Sequence, residues 1–118
     1  SHEMAARLTQ IDYDREMAFL LLDGETLLGV GRLAADPGFE QAEFALVVAS
    51  DSQGHGYGTL LLKHVLHYAK SRGIKRVIGD VLRENTRMHD LLKRLGFRRE
   101  GGRSGEPDVR VVKSLGGL

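Results

Sequence analysis

Three glycines at alternate positions, Gly54, Gly56 and Gly58, separate an apolar run of strand type from an amphipathic run of helix type. No other stretch limits the fold so tightly. Residues 45–49 read as the end of a strand, and 50–58 as a polar turn. A helix then reaches about residue 72, with Leu60, Leu61, Val65, Leu66 and Ala69 on its inner face. Glycine lets backbone approach a ligand with no Cβ in the way. The first amides of a helix have no partner inside it, and their partial positive charge suits an anion. A strand–glycine turn–helix unit therefore predicts a phosphate or pyrophosphate site.

The chain has 118 residues, enough for one domain with a real core, and 1–118 is read as a single unit. A formal charge of +1 gives no reason to expect nucleic acid or an anionic membrane as partner. The lack of cysteine excludes disulfides, zinc–thiolate sites and a thiol nucleophile. No apolar run approaches the ~18 residues of a membrane span and no signal peptide is visible, so a cytoplasmic protein is expected.

Around the glycine turn the chain reads as α+β. Met4, Ala5 and Leu8 at helical spacing predict a short helix over residues 1–9. Residues 16–23 and 26–35 are strands joined at Asp23-Gly24, a tight-hairpin pair, and Gly29 and Gly31 suggest a bulge or a close neighbour. Asp36-Pro37-Gly38 turns the chain into a third strand over 41–49, completing an antiparallel meander. Gly73 stops the long helix, and 76–82 is a strand whose helix-sized crossover implies parallel pairing. Asn85 opens a second helix with apolar positions Met88, Leu91, Leu92 and Leu95, and Gly96 ends it. A polar loop over 101–108 precedes a last strand, 109–115.

Two phosphate-loop patterns fit poorly. The nucleotide-hydrolase loop needs Gly-x-x-x-x-Gly-Lys-Ser/Thr, but five on from Gly54 stands Thr59 and no lysine follows. The dinucleotide fingerprint needs its third glycine one residue later than Gly58. Asp80 lies near the place of a ribose-binding acid, which keeps that reading as a rival, although such a domain begins with the strand feeding the loop. Gln53-Gly54-His55-Gly56-Tyr57-Gly58 instead resembles the Gln/Arg-x-x-Gly-x-Gly/Ala coenzyme A loop of the GNAT N-acetyltransferase superfamily. The meander before it, the helix and strand after it, Asn85 and Leu95-Gly96-Phe97 follow that superfamily's order over most of residues 16–115. Ala6-Arg7-Leu8-Thr9-Gln10-Ile11-Asp12-Tyr13-Asp14-Arg15-Glu16-Met17-Ala18-Phe19, Ala42-Glu43-Phe44-Ala45 and Gly79-Asp80-Val81-Leu82-Arg83-Glu84-Asn85 look more closely like the GNAT module of bacterial protein-lysine acetyltransferases. That module is often fused to an NDP-forming acyl-CoA synthetase-like domain. It acetylates the active-site lysine of AMP-forming acyl-CoA synthetases.

The resemblance implies acetyl-CoA as co-substrate and a protein lysine, such as one on an acyl-CoA synthetase, as acceptor. Gly54, Gly56 and Gly58, with the amides of His55, Tyr57 and Thr59, would hold the pyrophosphate, and Gln53 would orient the loop or cover the phosphates. Backbone groups of Leu46, Val47 and Val48 would pair with the pantetheine arm and polarise the thioester carbonyl. Glu43, read as lying near the buried end of the strand beside the apolar run 44–49, matches the glutamate proposed as general base in the lysine-acetylating relatives. A lysine amine (pKa about 10.4) must lose a proton before it attacks. The plain alternative for Glu43 is a strand-end carboxylate paired with Arg32. Asn85 would cap the second helix and also reach the pantetheine arm. Many members carry a thiolate-protonating tyrosine where this chain has Leu92, so the thiolate is expected to leave unassisted. Ser1-His2-Glu3-Met4 reads as native sequence, and the chain as a fragment starting in the substrate-side helices without the superfamily's first strand and helix. A sheet edge left open in that way invites pairing with a second copy.

The other polar residues have plainer readings. His64 and His67, three apart with no third ligand, read as solvated surface rather than a metal site, and His55 and His89 read as structural. Asp12, Asp14 and Glu16 form either a solvated turn or an acidic rim for a basic acceptor segment. Transfer to a small amine, and a regulatory module that binds acetyl-CoA without transferring anything, remain the alternatives.

Overall fold

The computed structural model describes residues 6–101 and 105–116. Its core is one mixed seven-stranded sheet with two helices packed on the same face. Strands β1 (Ala6–Asp12), β2 (Glu16–Asp23), β3 (Thr26–Ala35) and β4 (Gln41–Val48) form an antiparallel meander. Helix α1 (Tyr57–Ser71) crosses to β5 (Arg76–Leu82), helix α2 (Thr86–Arg94) follows, and β6 (Arg98–Arg99) and β7 (Asp108–Ser114) close the chain. The spatial order is β1-β2-β3-β4-β5-β7-β6, so β7 inserts between its two predecessors.

Alternation within the strands sets the two faces. Met17, Phe19 and Leu21 of β2, Leu33 of β3, Ala42 and Phe44 of β4, and Val77 and Val81 of β5 are buried against Leu61, Leu62, Val65 and Ala69 of α1 and Leu92 of α2. Gly29 and Gly31 are there because α1 lies directly on them. A Cβ on Gly29 would come 2.8 Å from Leu61 Cδ1, and one on Gly31 3.0 Å from Val65 Cγ2. The register of β2 against β3 also shifts between Leu21 and Leu22, so the expected bulge and the expected close neighbour both occur. Gly24, at φ +61°, turns the two-residue hairpin after Asp23.

The helix expected over residues 1–9 is not formed by its described part. Residues 1–5, with Met4 and Ala5, lie outside the described residues, whereas Ala6–Asp12 is a strand. Seven consecutive pairs join it to the outer edge of β2, from Ala6↔Asp23 to Asp12↔Met17. A full ladder for that edge outweighs a weak three-position helical pattern, and Thr9 and Ile11 are β-branched. β1 extends the meander on that side and becomes the sheet's edge. β6, two residues long against Val111 and Val112, carried no sequence signal. The polar loop expected over 101–108 lies partly outside the described residues, at 102–104.

β4 and β5 run parallel but pair over only Gln41↔Arg76, Ala42↔Val77 and Glu43↔Ile78. Beyond Glu43, β5 continues along β7 for its whole length while β4 follows β3, so a slot opens between them. The Phe44 ring sits at the fork, packed against Phe97 with centroids 5.2 Å apart. It lies over Gly79, where a Cβ would collide with it. Gly79→Ala should overpack this junction and cost about 1–3 kcal/mol, read as a lower urea midpoint. An unchanged midpoint would show that Phe44 is not held there.

Candidate active site

The slot is a cavity of about 190 Å³ whose walls include Phe44 and Leu46 of β4, Asp80 and Leu82 of β5, and Asn85 and Met88 at the start of α2. A larger hollow of about 610 Å³ lies along Thr86, Arg87, Asp90, Lys93 and Arg94. It borders a single helix and opens broadly to solvent, whereas the slot is walled by β4, β5 and the start of α2 and includes the predicted Leu46 and Asn85.

Hydrogen-bond alternation decides which β4 peptides face the slot. Ala49 N–H donates to the Leu28 carbonyl at 2.9 Å. In an antiparallel ladder the peptide groups then turn to β3 at every second residue, at Val47, Ala45 and Glu43. The peptide groups of Leu46 and Val48 turn the other way, toward the departing β5. The Val48 carbonyl there accepts from Gln53 Nε2 at 3.4 Å, so the Gln53 side chain ties the turn back to the strand. Val47 has its peptide on β3 and its side chain on the face without helices, 66% exposed.

The turn itself begins with a 3-10 turn, Ser50–Ser52. Gly54 (φ +87°) and Gly56 (φ +81°) adopt left-handed conformations that side-chain-bearing residues resist. Gly56 is the N-cap of α1, and its carbonyl accepts the Leu60 N–H at 3.0 Å. With glycine as cap, no side chain of that residue covers the helix's positive end. Gly58 and Thr59 lie in the first turn. A Cβ on Gly58 would come 3.3 Å from Leu91 Cδ2 and 3.6 Å from Leu46 Cδ2, so this glycine lets α1 seat against both α2 and β4. The His55 and Tyr57 rings stack, with centroids 5.5 Å apart. These features fit a diphosphate at the helix end with an extended arm along Leu46.

Asn85 caps α2, its side-chain oxygen accepting the Met88 N–H at 3.2 Å, and it also lines the slot. His89, buried in α2, bonds through Nε2 to the Leu82 carbonyl at 3.1 Å, a structural tie between helix and strand. Leu92, at the position where many members of the superfamily carry a tyrosine, is core. His64 packs on Phe19, ring centroids 5.4 Å apart, rather than lying wholly in solvent, and no metal-binding group occurs among the described residues.

Glu43 is the last β4 residue paired with β5 and stands at the vertex of the slot, exposed on the helix-free face rather than buried at the strand end. The Arg32 pairing is not formed: Arg32 stands opposite Ala45, and no ion pair joins it to Glu43 among the described residues. Two neighbouring features were missed in the sequence. Arg110 of β7 stands opposite Asp80 of β5, with Nε on Oδ1 at 3.0 Å and Nη2 on Oδ2 at 3.1 Å. The Asp80 hydrogen bonds and charge raise the Arg110 pKa above its ordinary value, with smaller contributions from Glu43 and Glu100. Arg87 of α2 reaches the glycine turn, its Nη1 3.8 Å from where a Gly54 Cβ would lie. The place of Arg87 in the first turn of α2, two residues after Asn85, was the available signal for it; the Asp80–Arg110 pair spans thirty positions and has none.

A model of the acetyltransferase (GNAT) family matches residues 1–97. The acetyltransferase PA5475 of Pseudomonas aeruginosa is 34% identical over 113 residues, covering 92% of this chain and 60% of that one. The mycothiol acetyltransferase of Rhodococcus opacus is 34% identical over 105 residues, covering 82% of this chain and 34% of that one. The chain therefore spans about three fifths and about one third of these two relatives. Among solved structures, the GNAT domain of S. lividans PAT superposes with a TM-score of 0.76 at 26% identity, over 88% of this chain and 64% of that one. No helix among the described residues is long and apolar enough to cross a membrane.

Because nothing surrounds a Cβ at Gly56, a Gly56→Ala change isolates the cost of its φ of +81°. A loss of about 1–2 kcal/mol of unfolding free energy is expected, measured in urea. A neutral result would mean that the turn relaxes out of the left-handed shape.

Proposed function

The chain belongs to the GNAT acetyltransferase family, and from that premise we propose that it moves the acetyl group of acetyl-CoA directly to the amine of a protein lysine. The observation that carries the acceptor half of this reading is the setting of Glu43. This exposed carboxylate stands where β4 and β5 part, on the face away from both helices. Val47 (66% exposed) and Leu82 (52% exposed) rim the same face of the slot, so a side chain with an apolar stem and a terminal amine suits it. Asp80, the next carboxylate along β5, is already paired with Arg110 and offers no second counter-charge. Glu16 lies on the same transverse line of the sheet, through Glu16↔Ala34↔Glu43, and exposed Asp12 and Asp14 flank it. Together they suit positive charges on either side of a lysine in a polypeptide. The likeness of residues 6–19, 42–45 and 79–85 to protein-lysine acetyltransferase modules supports the same acceptor class, an acyl-CoA synthetase among them.

Each step then has a group on this chain. The open end of α1, with the amides of Gly56, Gly58 and Thr59 and the Arg87 guanidinium nearby, would bind the diphosphate. The Leu46 peptide would align the pantetheine arm, and its N–H would steady the negative charge that develops on the thioester oxygen. Asn85 Nδ2, with no partner among the described residues, is a further donor to the arm. A lysine amine is almost wholly protonated at neutral pH, so Glu43 would take the proton, directly or through water, as the nitrogen attacks. The thiolate leaves without a protein acid at Leu92.

Glu43→Gln should leave acetyl-CoA affinity unchanged and lower kcat about 10²–10⁴-fold, the usual worth of a positioned base. Unchanged turnover would remove Glu43 from the reaction. The acceptor is tested by mass spectrometry after incubation with acetyl-CoA and either acyl-CoA synthetases or spermidine. Acetylation of a synthetase lysine is the expected result. Acetylated spermidine alone would make the acceptor a small amine, and acetyl-CoA binding with no transfer would make the domain a sensor.

A further inference from the structure

We propose that Asp80 is a positioning residue which holds the Arg110 guanidinium away from Glu43, keeping that carboxylate open to the incoming amine. The inference rests on reading Glu43 as the base.

Three strands place the groups together. Glu43 of β4 is paired with Ile78 of β5, Asp80 lies two residues further along β5 on the same face, and Arg110 of β7 stands opposite Asp80. Ordinary strand spacing and rise set the Arg110 and Glu43 Cα atoms about 12 Å apart, a gap that an arginine and a glutamate side chain can bridge between them. Arg110 is held off by a two-pronged grip, Nε on Oδ1 and Nη2 on Oδ2, the strong geometry for guanidinium and carboxylate. The same face also carries Arg76 at the start of β5, paired with Glu100, Arg32 of β3 opposite Ala45, without an ion pair among the described residues, and Arg98 of β6 and Asp108 of β7, opposite Val112 and Leu82. Glu43 and Glu100 both act on the Arg110 charge already, so they are the carboxylates it would turn to if Asp80 were lost. Glu100 is engaged by Arg76, so of these two Glu43 is the one left free.

An arginine on Glu43 would block the reaction twice. It would occupy the oxygens that must accept the amine's proton, and it would repel the ammonium group before that proton leaves. Asp80 prevents both, and its pairing makes the combined charge of the two side chains zero at the mouth of the slot. The pair's contribution to stability is small, because about two fifths of each side chain is exposed, so variants at these positions should fold.

The test compares Asp80→Asn, Arg110→Met and the double variant with the unaltered protein, in acetyl transfer to a lysine peptide. Asp80→Asn should lower kcat at least tenfold with little change in KM for acetyl-CoA. The double variant should recover to the kcat of Arg110→Met, although it has lost the same ion pair. Equal losses in all three would show that the pair only staples β5 to β7, and a double variant as inactive as Asp80→Asn would make Asp80 itself the reacting group. Either result overturns the proposal. Should Asp80→Asn fail to fold, Arg110→Met against the double variant still decides. Both at the kcat of the unaltered protein supports a role exerted through Arg110, whereas an equal loss in both, or a further loss in the double variant, contradicts it. Glu43→Gln, run alongside, separates the two claims. Full activity there removes the base, whereas an inactive Glu43→Gln without rescue in the double variant removes only the positioning role.

Discussion

The site depends on a failure of pairing. Two parallel neighbours, β4 and β5, stay hydrogen-bonded for three residue pairs and then part. Unpaired peptide groups in a sheet interior are costly unless something satisfies them. Here both strands carry it, because β5 keeps β7 and β4 keeps β3 on their outer sides while every second peptide of each faces the gap. What remains is a short polar edge inside the molecule, at Leu46 and Val48, with apolar side chains above and below. Packing keeps the fork open. The Phe44 ring occupies the space a side chain at Gly79 would need and leans on Phe97, the residue that follows the turn out of α2. The same junction that completes the core thus prevents the strands from closing.

The glycine turn and α2 finish the slot from opposite ends. Gly56 begins α1 with nothing on the cap, and Gly58 lets that first turn approach Leu46 and Leu91. On the other side, Asn85 both starts α2 and lines the cavity, while His89 fastens the helix to the end of β5. Structural and ligand-facing roles coincide in these residues. A cap and a donor are one side chain at Asn85, and a tight turn and an anion site are one backbone at residues 54–58.

Punctuation made most of this legible in the sequence. Asp23-Gly24, Asp36-Pro37-Gly38, Gly73 and Gly96 bound the elements closely, and strand or helix type followed from the apolar runs between them. The glycine turn carried its own chemistry. Where reading failed, the cause was non-local. Ala6–Asp12 became a strand because β2 had an unused edge, something its own residues do not state. Arg98–Arg99 paired because β7 inserted beside it. Glu43 looked like a strand end about to be buried, and only the sheet's two-sidedness shows it opening to the helix-free face. The Asp80–Arg110 pair arises from register between strands joined through α2 and β6, so no local spacing could disclose it.

The most direct measurement is a titration of the isotope-labelled protein with acetyl-CoA, following each backbone amide by NMR. If the parting of β4 and β5 makes the binding slot, shifts should concentrate at Leu46, Val48, residues 54–59 and Asn85, with the β1–β2 hairpin unmoved. Shifts confined to the basic hollow along Arg87, Lys93 and Arg94, with Leu46 and the glycine turn silent, would contradict the account.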